Sequence, residues 1–422
     1  MLIINKIRNK SSLLESFFSL SILNGLNVIL PLITLPYILR VVGVSNYGIY
    51  AFVYVLIQYL LLINSYGFNF SATKQVAQNR DNKKQLNIIY NSVITCRLLL
   101  LFAGILILSI LSPLILETDN KKLMFLMGLG IVLGDTFNPI WFFQGLEKMR
   151  YITLVNIVSK TIFTALIFLF VKKTNDYIYI TLINSLGFLL SGLISTIIVK
   201  KQFKISFFIP KMDDIKFQFK EGLALFGSSV GTSLYSNMNV FILNFFVNDA
   251  AVGLYAAAEK IIRGFQTLTS PVTQALFPHI GKDFYGRAIK YQLDKIWKIS
   301  ITISLTLLIP NILIFFYADF FVKLFCGNGY NESVILVKIM SPVILIGTLN
   351  YVLGVIGLVN LNQQKTFFKG VMTAGVSSIL FLVLTVPRYG ILSASIAIPI
   401  SELVLLFVCI QKLKKMKVQS ND

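Results

Sequence analysis

Four basic residues lie inside long apolar stretches of this sequence, where an ionised side chain is costly. Arg97 and Lys160 each follow about nine residues of an apolar run, which is ~13 Å along a helix that rises 1.5 Å per residue. Lys260 and Arg263 stand together in a third run. Because a charge at such a depth costs roughly 2.5–3.5 kcal/mol even on the lenient insertion scale, it marks a functional position by default. The four cations predict a basic cavity that binds an anionic group such as a phosphate or pyrophosphate.

Three acidic residues, Asp135, Glu259 and Glu402, also fall within apolar stretches. Glu259 stands one helical turn before Arg263, so these two side chains can neutralise each other. Asp135 and Glu402 can serve the other deep cations from neighbouring helices. The three carboxylates are equally candidates for carrying a coupling ion, either a proton or sodium. Apart from such an ion, we expect no cofactor and no metal site.

Amide and hydroxyl side chains recur at helical spacing in four of the apolar stretches, two in each half of the chain. Residues spaced by three or four share one helix face, and such polar faces avoid lipid. They either form hydrogen bonds between helices or line a water-filled lumen, and their matching places in the two halves favour the lumen. The candidate lining residues are Asn24, Asn27, Gln58, Asn237 and Gln266.

The elements that position these residues are membrane-spanning helices. Hydrophobic residues make up 56% of the 422 and charged residues 13%, whereas a soluble domain carries roughly 25% charged residues. A spanning helix needs ~17–25 residues, and about twelve such stretches predict an all-α polytopic membrane protein. We place the spans at 16–39, 48–70, 88–112, 123–145, 151–171, 178–199, 221–247, 252–278, 296–317, 333–358, 367–387 and 390–411.

The lysines and arginines divide unevenly among the loops. With a cytoplasmic N-terminus, 26 of the 38 fall in cytoplasmic segments and 7 in external loops. Because positive charge is retained on the cytoplasmic side, we predict that both termini are cytoplasmic. The net charge of +20 is then explained by the bilayer as partner, and nucleic acid is not expected.

A four-residue pattern occurs once in each half. Gly48-Ile49-Tyr50-Ala51 follows the first span and Gly253-Leu254-Tyr255-Ala256 follows the seventh, an offset of 205 residues. We therefore predict an N-terminal six-helix bundle at 1–200, a basic cytoplasmic linker at 201–220 and a C-terminal six-helix bundle at 221–422. Parallel repeats of this kind surround a central substrate cavity.

Two motifs of common enzymes are absent from the sequence. It contains no GxxxxGK[ST] phosphate loop and no HExxH, and so lacks the residues for phosphate binding by a P-loop and for zinc-dependent hydrolysis of the HExxH type. The external loops are each shorter than about twenty residues and hold no paired acid and base, which a catalytic loop would need. We expect the chain to be a transporter and not an enzyme.

Three stretches of the sequence resemble one family of transporters. They are LNGLNVILPLITLPYILRVVGVSNYGIYAFVYVLIQY at 23–59, NPIWFFQGLEKMRYITLVNIVSK at 138–160 and GLYAAAEKIIRGFQTLTSPVTQALFPHI at 253–280. They are similar to the polysaccharide repeat-unit (O-antigen, Wzx-type) flippases of the multidrug/oligosaccharidyl-lipid/polysaccharide (MOP) exporter superfamily. The similarity extends in span order over essentially the whole chain.

The resemblance implies a bacterial inner-membrane flippase for undecaprenyl-pyrophosphate-linked oligosaccharide, working beside a polysaccharide polymerase and its chain-length regulator. Its basic cavity residues correspond best to Arg263 and then to Lys160; Arg97 and Lys260 correspond by position and charge alone. Arg40 matches a basic residue at the external end of the first span, where an interfacial anchor is the equal alternative.

Three other functions stay open at this point. A drug/cation antiporter of the same superfamily would need an acidic cavity, and the deep cations argue against it. A flippase for the peptidoglycan lipid precursor would also favour a basic cavity, but that branch has more spans. A membrane polysaccharide polymerase would need a larger external loop than this chain has.

Overall fold

The computed structural model describes the backbone of Gly25 and of residues 30–419, and its described side chains within this range exclude those at 224, 228, 229, 231–236, 272, 274, 275, 278 and 279. Over these residues the chain is helical and contains no strand. The helices are α1 (Leu30–Val42), α2 (Val44–Ser65), α3 (Phe68–Gln78), α4 (Lys83–Ile115), α5 (Asp119–Thr136), α6 (Ile140–Gly145), α7 (Met149–Phe170), α8 (Tyr177–Gln202), α9 (Met212–Phe246), α10 (Asp249–Phe284), α11 (Ile289–Phe316), α12 (Ala318–Cys326), α13 (Ser333–Met340), α14 (Pro342–Asn350), α15 (Gln364–Tyr389) and α16 (Ile391–Gln419). A π-helical segment, Tyr351–Val359, continues α14.

The predicted all-α polytopic membrane fold is confirmed. Each of the twelve predicted spans overlaps one of these helices or a run of two or three consecutive ones. Within the described residues, nine helical segments are long and apolar enough to cross a bilayer, and α1 and α9 contribute shorter apolar segments, Leu30–Val42 and Asn237–Phe246. Large apolar side chains such as Phe102, Leu114 and Leu384 are 71–76% exposed, as expected of surfaces that face lipid.

Three helical regions differ from the prediction. The predicted loop at 71–87 contains most of α3, which starts after Tyr66 and Gly67 at φ of 40° and 79°. The second half of the predicted linker is helical, because α9 begins at Met212 and not near 221. The short helix α12 was expected to be part of a loop. All three regions are too polar or too short for a criterion based on spanning length.

The chain divides into two compact units. One contains Gly25 and residues 30–34 and 53–230, and the other contains Leu35–Phe52 and the described residues from Gly231 onward. The first unit has an aromatic core in which Tyr90, Trp141 and Phe142 are fully buried. The core of the second unit is aliphatic and includes Ile296, Val352 and other side chains from α10, α11, α16 and the π-helical segment.

Small residues set the closest helix contacts within the first unit. A Cβ at Gly134 on α5 would overlap the backbone of Phe188 on α8, and a Cβ at Gly192 on α8 would lie 2.5 Å from the Gly134 carbonyl oxygen. Near the same interface, the Ser185 hydroxyl donates to the Met127 carbonyl oxygen. Such close backbone approach is the usual way that helices pack in lipid, where the hydrophobic effect does not drive association.

The two copies of the repeated tetrapeptide meet in the second unit. A Cβ at Gly48 would overlap the Asp249 carbonyl oxygen and stand 2.8 Å from the Gly253 nitrogen. A Cβ at Gly253 would overlap the Val44 carbonyl oxygen and stand 3.1 Å from the Gly48 nitrogen. Val44 and Asp249 are separated by the same 205 positions as the two glycines. The start of α2 and the start of α10 therefore contact each other through equivalent residues, with room for hydrogen alone at each glycine.

Candidate functional site

Three polar residues are joined along one face of α10. Arg263 Nε lies 3.6 Å from Glu259 Oε1, and Arg263 Nη1 donates to Gln266 Oε1 at 2.9 Å. The ion pair at i,i+4 that the spacing allowed is present. The Arg263 side chain is nevertheless 30% exposed.

The line of polar groups continues from Gln266 to α16. A Cβ at Gly347 on α14 would overlap the Gln266 amide nitrogen and lie 3.4 Å from Glu402 Oε1, so both side chains lie beside this glycine. Glu402 is 4% exposed. Its Oε2 accepts a hydrogen bond from Asn350 Nδ2 at 2.6 Å, and the same amide group donates to the Glu402 carbonyl oxygen at 2.8 Å.

Asn350 stands directly before the π-helical segment Tyr351–Val359. Segments of π-helix are rare and often occur at functional sites. One helical turn after Gln266 along α10, the hydroxyl oxygen of Thr269 lies 3.2 Å from that of Thr348 on α14. Gly347, Thr348 and Asn350 were not among the predicted site residues, because their predicted span has no ionisable residue near them.

The deep cation of the first unit, Arg97, is held by a buried network. It is 2% exposed, forms an ion pair with Asp135 and donates from Nη1 to the Thr136 carbonyl oxygen at 3.3 Å. With the Asn64 amide oxygen turned toward Arg97, that oxygen accepts from Nη2 at 3.2 Å and the Asn64 nitrogen donates to the Arg97 carbonyl oxygen at 2.7 Å. This arginine therefore joins α2, α4 and α5, and its substrate-binding role stays a prediction.

Arg40 lies at the end of α1 and caps a helix. Its Nη2 donates to the Leu324 carbonyl oxygen at 2.5 Å and to the Lys323 carbonyl oxygen at 3.4 Å, both in the last turn of α12. A cation is favourable there, because the unsatisfied carbonyls give a helix C-terminus a partial negative charge. The side chain also lies against Gly327, whose added Cβ would be 2.9 Å from Arg40 Cγ.

The other predicted site residues lie on several helices. Half-buried side chains are found at Lys160, Gln58 and Asn237, and an exposed one at Lys260 on α10. Asn24 and Asn27, in the first predicted span, lie outside the described residues.

The structure thus brings two groups of predicted residues together, one in each unit. In the second unit, Glu259, Arg263 and Gln266 are joined along α10, and Glu402 lies beside the same glycine as Gln266; these four residues form the polar line of that unit. It combines a partly exposed arginine side chain with amide and carboxylate groups, a set that can bind phosphate oxygens and sugar hydroxyls. In the first unit, Arg97 and Asp135 form an ion pair.

Comparison with known proteins gives matches along the chain. Residues 13–284 match a family model described as polysaccharide biosynthesis protein. A protein of Escherichia coli (strain K12) named "Putative O-antigen transporter" is 30% identical over 411 residues, which cover 96% of this chain and 99% of that protein.

Solved structures with the same fold include two transporters. The lipid II flippase MurJ in an inward closed conformation matches with a TM-score of 0.73 and 14% identity, over 97% of this chain and 90% of that one. An inward-facing multidrug resistance MATE family transporter of the MOP superfamily matches with a TM-score of 0.67 and 12% identity, over 96% and 99%. At such low identity these matches establish the polytopic transporter fold alone.

Proposed function

Since the chain belongs to the polysaccharide biosynthesis protein family, we propose that it is a flippase that moves undecaprenyl-pyrophosphate-linked polysaccharide repeat units across the bacterial cytoplasmic membrane. A glycan headgroup carries many hydroxyls, and each one that enters hydrocarbon without a hydrogen bond costs roughly 2–7 kcal/mol. A path lined with polar side chains removes that cost. The name of the Escherichia coli relative supports a surface-polysaccharide substrate over other lipid-linked glycans.

The observation that carries the proposal is the polar line of the second unit, from Glu259 to Glu402. Arg263 supplies a planar cation that can bind two phosphate oxygens at once, and Gln266 keeps it oriented through the 2.9 Å hydrogen bond. The adjoining amides offer both donors and acceptors to sugar hydroxyls. None of these groups forms the acid–base pair of a glycan polymerase, and we propose transport without catalysis.

The proposed orientation follows the uneven distribution of lysine and arginine, with both termini in the cytoplasm. The substrate is loaded from the cytoplasmic leaflet and released to the external leaflet by alternating access. There a polymerase and its chain-length regulator take up the repeat unit. The water-filled lumen predicted from the polar helix faces is part of this proposal.

Deletion in the native host tests the proposal and separates it from a polymerase function. We expect loss of surface polysaccharide and accumulation of single lipid-linked repeat units that a membrane-impermeant glycosidase cannot reach in spheroplasts. Accessible single units would instead indicate a block in polymerisation. Polymer of normal amount would overturn the proposal.

The role of Arg263 is tested by complementation of that deletion. Arg263→Ala removes the cation and should abolish surface polysaccharide, whereas Arg263→Lys should retain part of it, since the charge persists without the bidentate geometry. The matched control is Arg388→Ala, which removes an exposed arginine at the end of α15. Equal complementation by Arg263→Ala and Arg388→Ala, at equal protein amount, would remove Arg263 from the site.

We further propose that a proton or sodium gradient drives transport through the buried carboxylates. Glu402 is the strongest candidate, because it is 4% exposed and has a hydrogen-bond donor in Asn350; Asp135 and Glu259 are the others. Proteoliposomes loaded with different ion gradients test this. If Glu402→Gln and Asp135→Asn both transport at wild-type rates and keep the wild-type response to the gradient, neither residue couples the ion.

A further inference from the structure

A pocket lies on the first unit, where α3 and α6 meet. Its volume is about 410 Å³, within the range of roughly 300–1,000 Å³ that is typical of small-molecule sites. The predicted site residues are not among its lining side chains. Part of its wall comes from NPIWFFQG, the beginning of the second stretch of family resemblance. The lining side chains that matter are Asn69, Phe70, Thr73 and Lys74 from α3, with Ile140 and Gln144 from α6.

Backbone geometry builds the pocket. The left-handed Gly67, at φ 79°, ends the run of α2 and lets α3 start in a new direction. On the other wall, a Cβ at Gly145 would lie 2.6 Å from Val76 Cβ, so α6 packs directly against α3. The Thr73 hydroxyl donates to the Asn69 carbonyl oxygen of its own helix at 2.5 Å and also lies 3.2 Å from the Trp141 carbonyl oxygen on α6, a further contact between the two helices.

One further residue fixes the position of α6. Arg80 Nε donates to the Gly145 carbonyl oxygen at 2.8 Å, and its Nη2 donates to Glu147 at 2.7 Å. This side chain ties the end of α3 to the end of α6 without entering the pocket. The pocket walls are thereby held in place by contacts that leave the lining amides and the lysine to face a ligand.

The lining combines three kinds of chemistry. Lys74 is exposed, and no carboxylate lies within ion-pair distance of it among the residues that the structure describes. The amides of Asn69 and Gln144 can each donate to and accept from a sugar hydroxyl. Phe70 is 67% exposed and offers an apolar ring face. One cation, two amides and an aromatic ring suit a sugar that carries a phosphate group.

We propose that this pocket is an entry subsite, which receives the phosphate-linked sugar headgroup of the lipid-linked repeat unit before transport. The proposal rests on the proposed flippase function. It also uses the predicted orientation, because most of α3 lies within the basic segment at 71–87, which the distribution of lysine and arginine assigns to the cytoplasm. An entry subsite contributes to capture of the substrate and not to the conformational change. Its loss should therefore raise the half-saturating substrate concentration and leave the maximal transport rate unchanged.

The first experiment measures transport in proteoliposomes that contain the purified full-length chain. The probe is lipid-linked oligosaccharide extracted from the host deletion strain. Lys74→Ala should raise the half-saturating concentration about fivefold, as expected for loss of one partly exposed charge-assisted hydrogen bond, with the maximal rate within about twofold of wild type. Lys74→Arg should restore half-saturation. The matched control is Lys84→Ala, which removes an exposed lysine at the start of α4, outside the pocket.

The second experiment measures equilibrium binding of the same probe to the protein in detergent micelles, and it needs no transport. Weaker binding by Lys74→Ala and by Asn69→Ala/Gln144→Ala, with wild-type binding by Lys84→Ala, supports the subsite. Equal binding by all four proteins overturns it. Competition distinguishes the ligand's source, because efficient displacement by UDP-N-acetylglucosamine would indicate a soluble sugar phosphate and overturn the assignment to a lipid headgroup.

The two experiments also separate the subsite from the proposed function. If wild-type proteoliposomes move no lipid-linked oligosaccharide while the pocket variants still weaken its binding, the flippase function fails and the subsite stands. If transport occurs and Lys74→Ala matches Lys84→Ala in both half-saturation and binding, the subsite fails and the flippase function stands.

Discussion

Replacing Gly48 by alanine should drive α2 and α10 apart. The added Cβ would overlap the carbonyl oxygen of Asp249, and the Gly253 nitrogen would be 2.8 Å away. Both obstacles are backbone atoms of the opposing helix. A change of side-chain rotamer cannot relieve the clash, so the helices themselves must shift.

The size of the effect follows from two opposing terms. Alanine is favoured over glycine inside a helix by about 1 kcal/mol, whereas forcing an extra methyl group into a packed contact costs roughly 1–3 kcal/mol. Gly48→Ala should therefore lose about 0–2 kcal/mol of unfolding free energy. Gly264→Ala on α10 is the control, because nothing lies within 4 Å of its added Cβ, and it should gain up to about 1 kcal/mol. The expected difference between the two variants is about 1–3 kcal/mol.

Unfolding of the purified chain by SDS in mixed micelles measures this difference. Gly253→Ala should match Gly48→Ala, because the contact is equivalent from both sides. The double variant should lose less than the sum of the single losses, since the first methyl group already separates the helices and the two sites are in contact. If Gly48→Ala is as stable as Gly264→Ala, the close contact between the two repeats does not exist in the folded protein.

Three further changes test other parts of the structure. Arg97→Ala leaves Asp135 without its buried cation and should lower the unfolding free energy by ~3–5 kcal/mol; adding Asp135→Asn should recover part of this loss, and no recovery would argue against the pair. Glu402→Leu deprives the buried Asn350 amide of one of its two acceptors and should cost about 1–3 kcal/mol, whereas Glu402→Gln, which keeps a side-chain acceptor, should melt close to wild type; equal melting of both variants would contradict the contact. The three native cysteines are buried and should not react with an impermeant maleimide. This reagent should label Lys122→Cys in intact cells and Lys84→Cys only after permeabilisation. The reverse result would invert the proposed orientation.

Apolar stretches long enough to span a bilayer predicted the long helices reliably and the short helices poorly. Twenty consecutive apolar residues have one stable arrangement in a bilayer, a spanning helix, so each predicted span overlaps a helix, or a run of consecutive helices, in the described part of the chain. By contrast, α3, α6 and α12 are 11, 6 and 9 residues long. Their starts depend on local features such as the left-handed Gly67, which a search for hydrophobic length does not detect.

The site could be predicted only in part. Spacing along one helix correctly suggested that Glu259 and Arg263 pair, because i,i+4 neighbours meet on any α-helix. The Arg97–Asp135 ion pair connects different helices, and the sequence offered it as one alternative among several. The approach of Gln266 and Glu402 to the same position depends on the missing side chain of Gly347, and a single glycine in an apolar span gives no sign of which helices it lets approach.

The matched glycine contact bears on the origin of the protein. Gly48 lies against Asp249, and its equivalent Gly253 lies against Val44, the equivalent of Asp249. A surface whose two halves are related in this way is complementary to itself, which is the property of an interface around a twofold axis. A half-length ancestor with one copy of the motif would have carried both sides of this contact and could pair with a second copy of itself. Gene duplication and fusion would then have preserved an old dimer interface as an internal one.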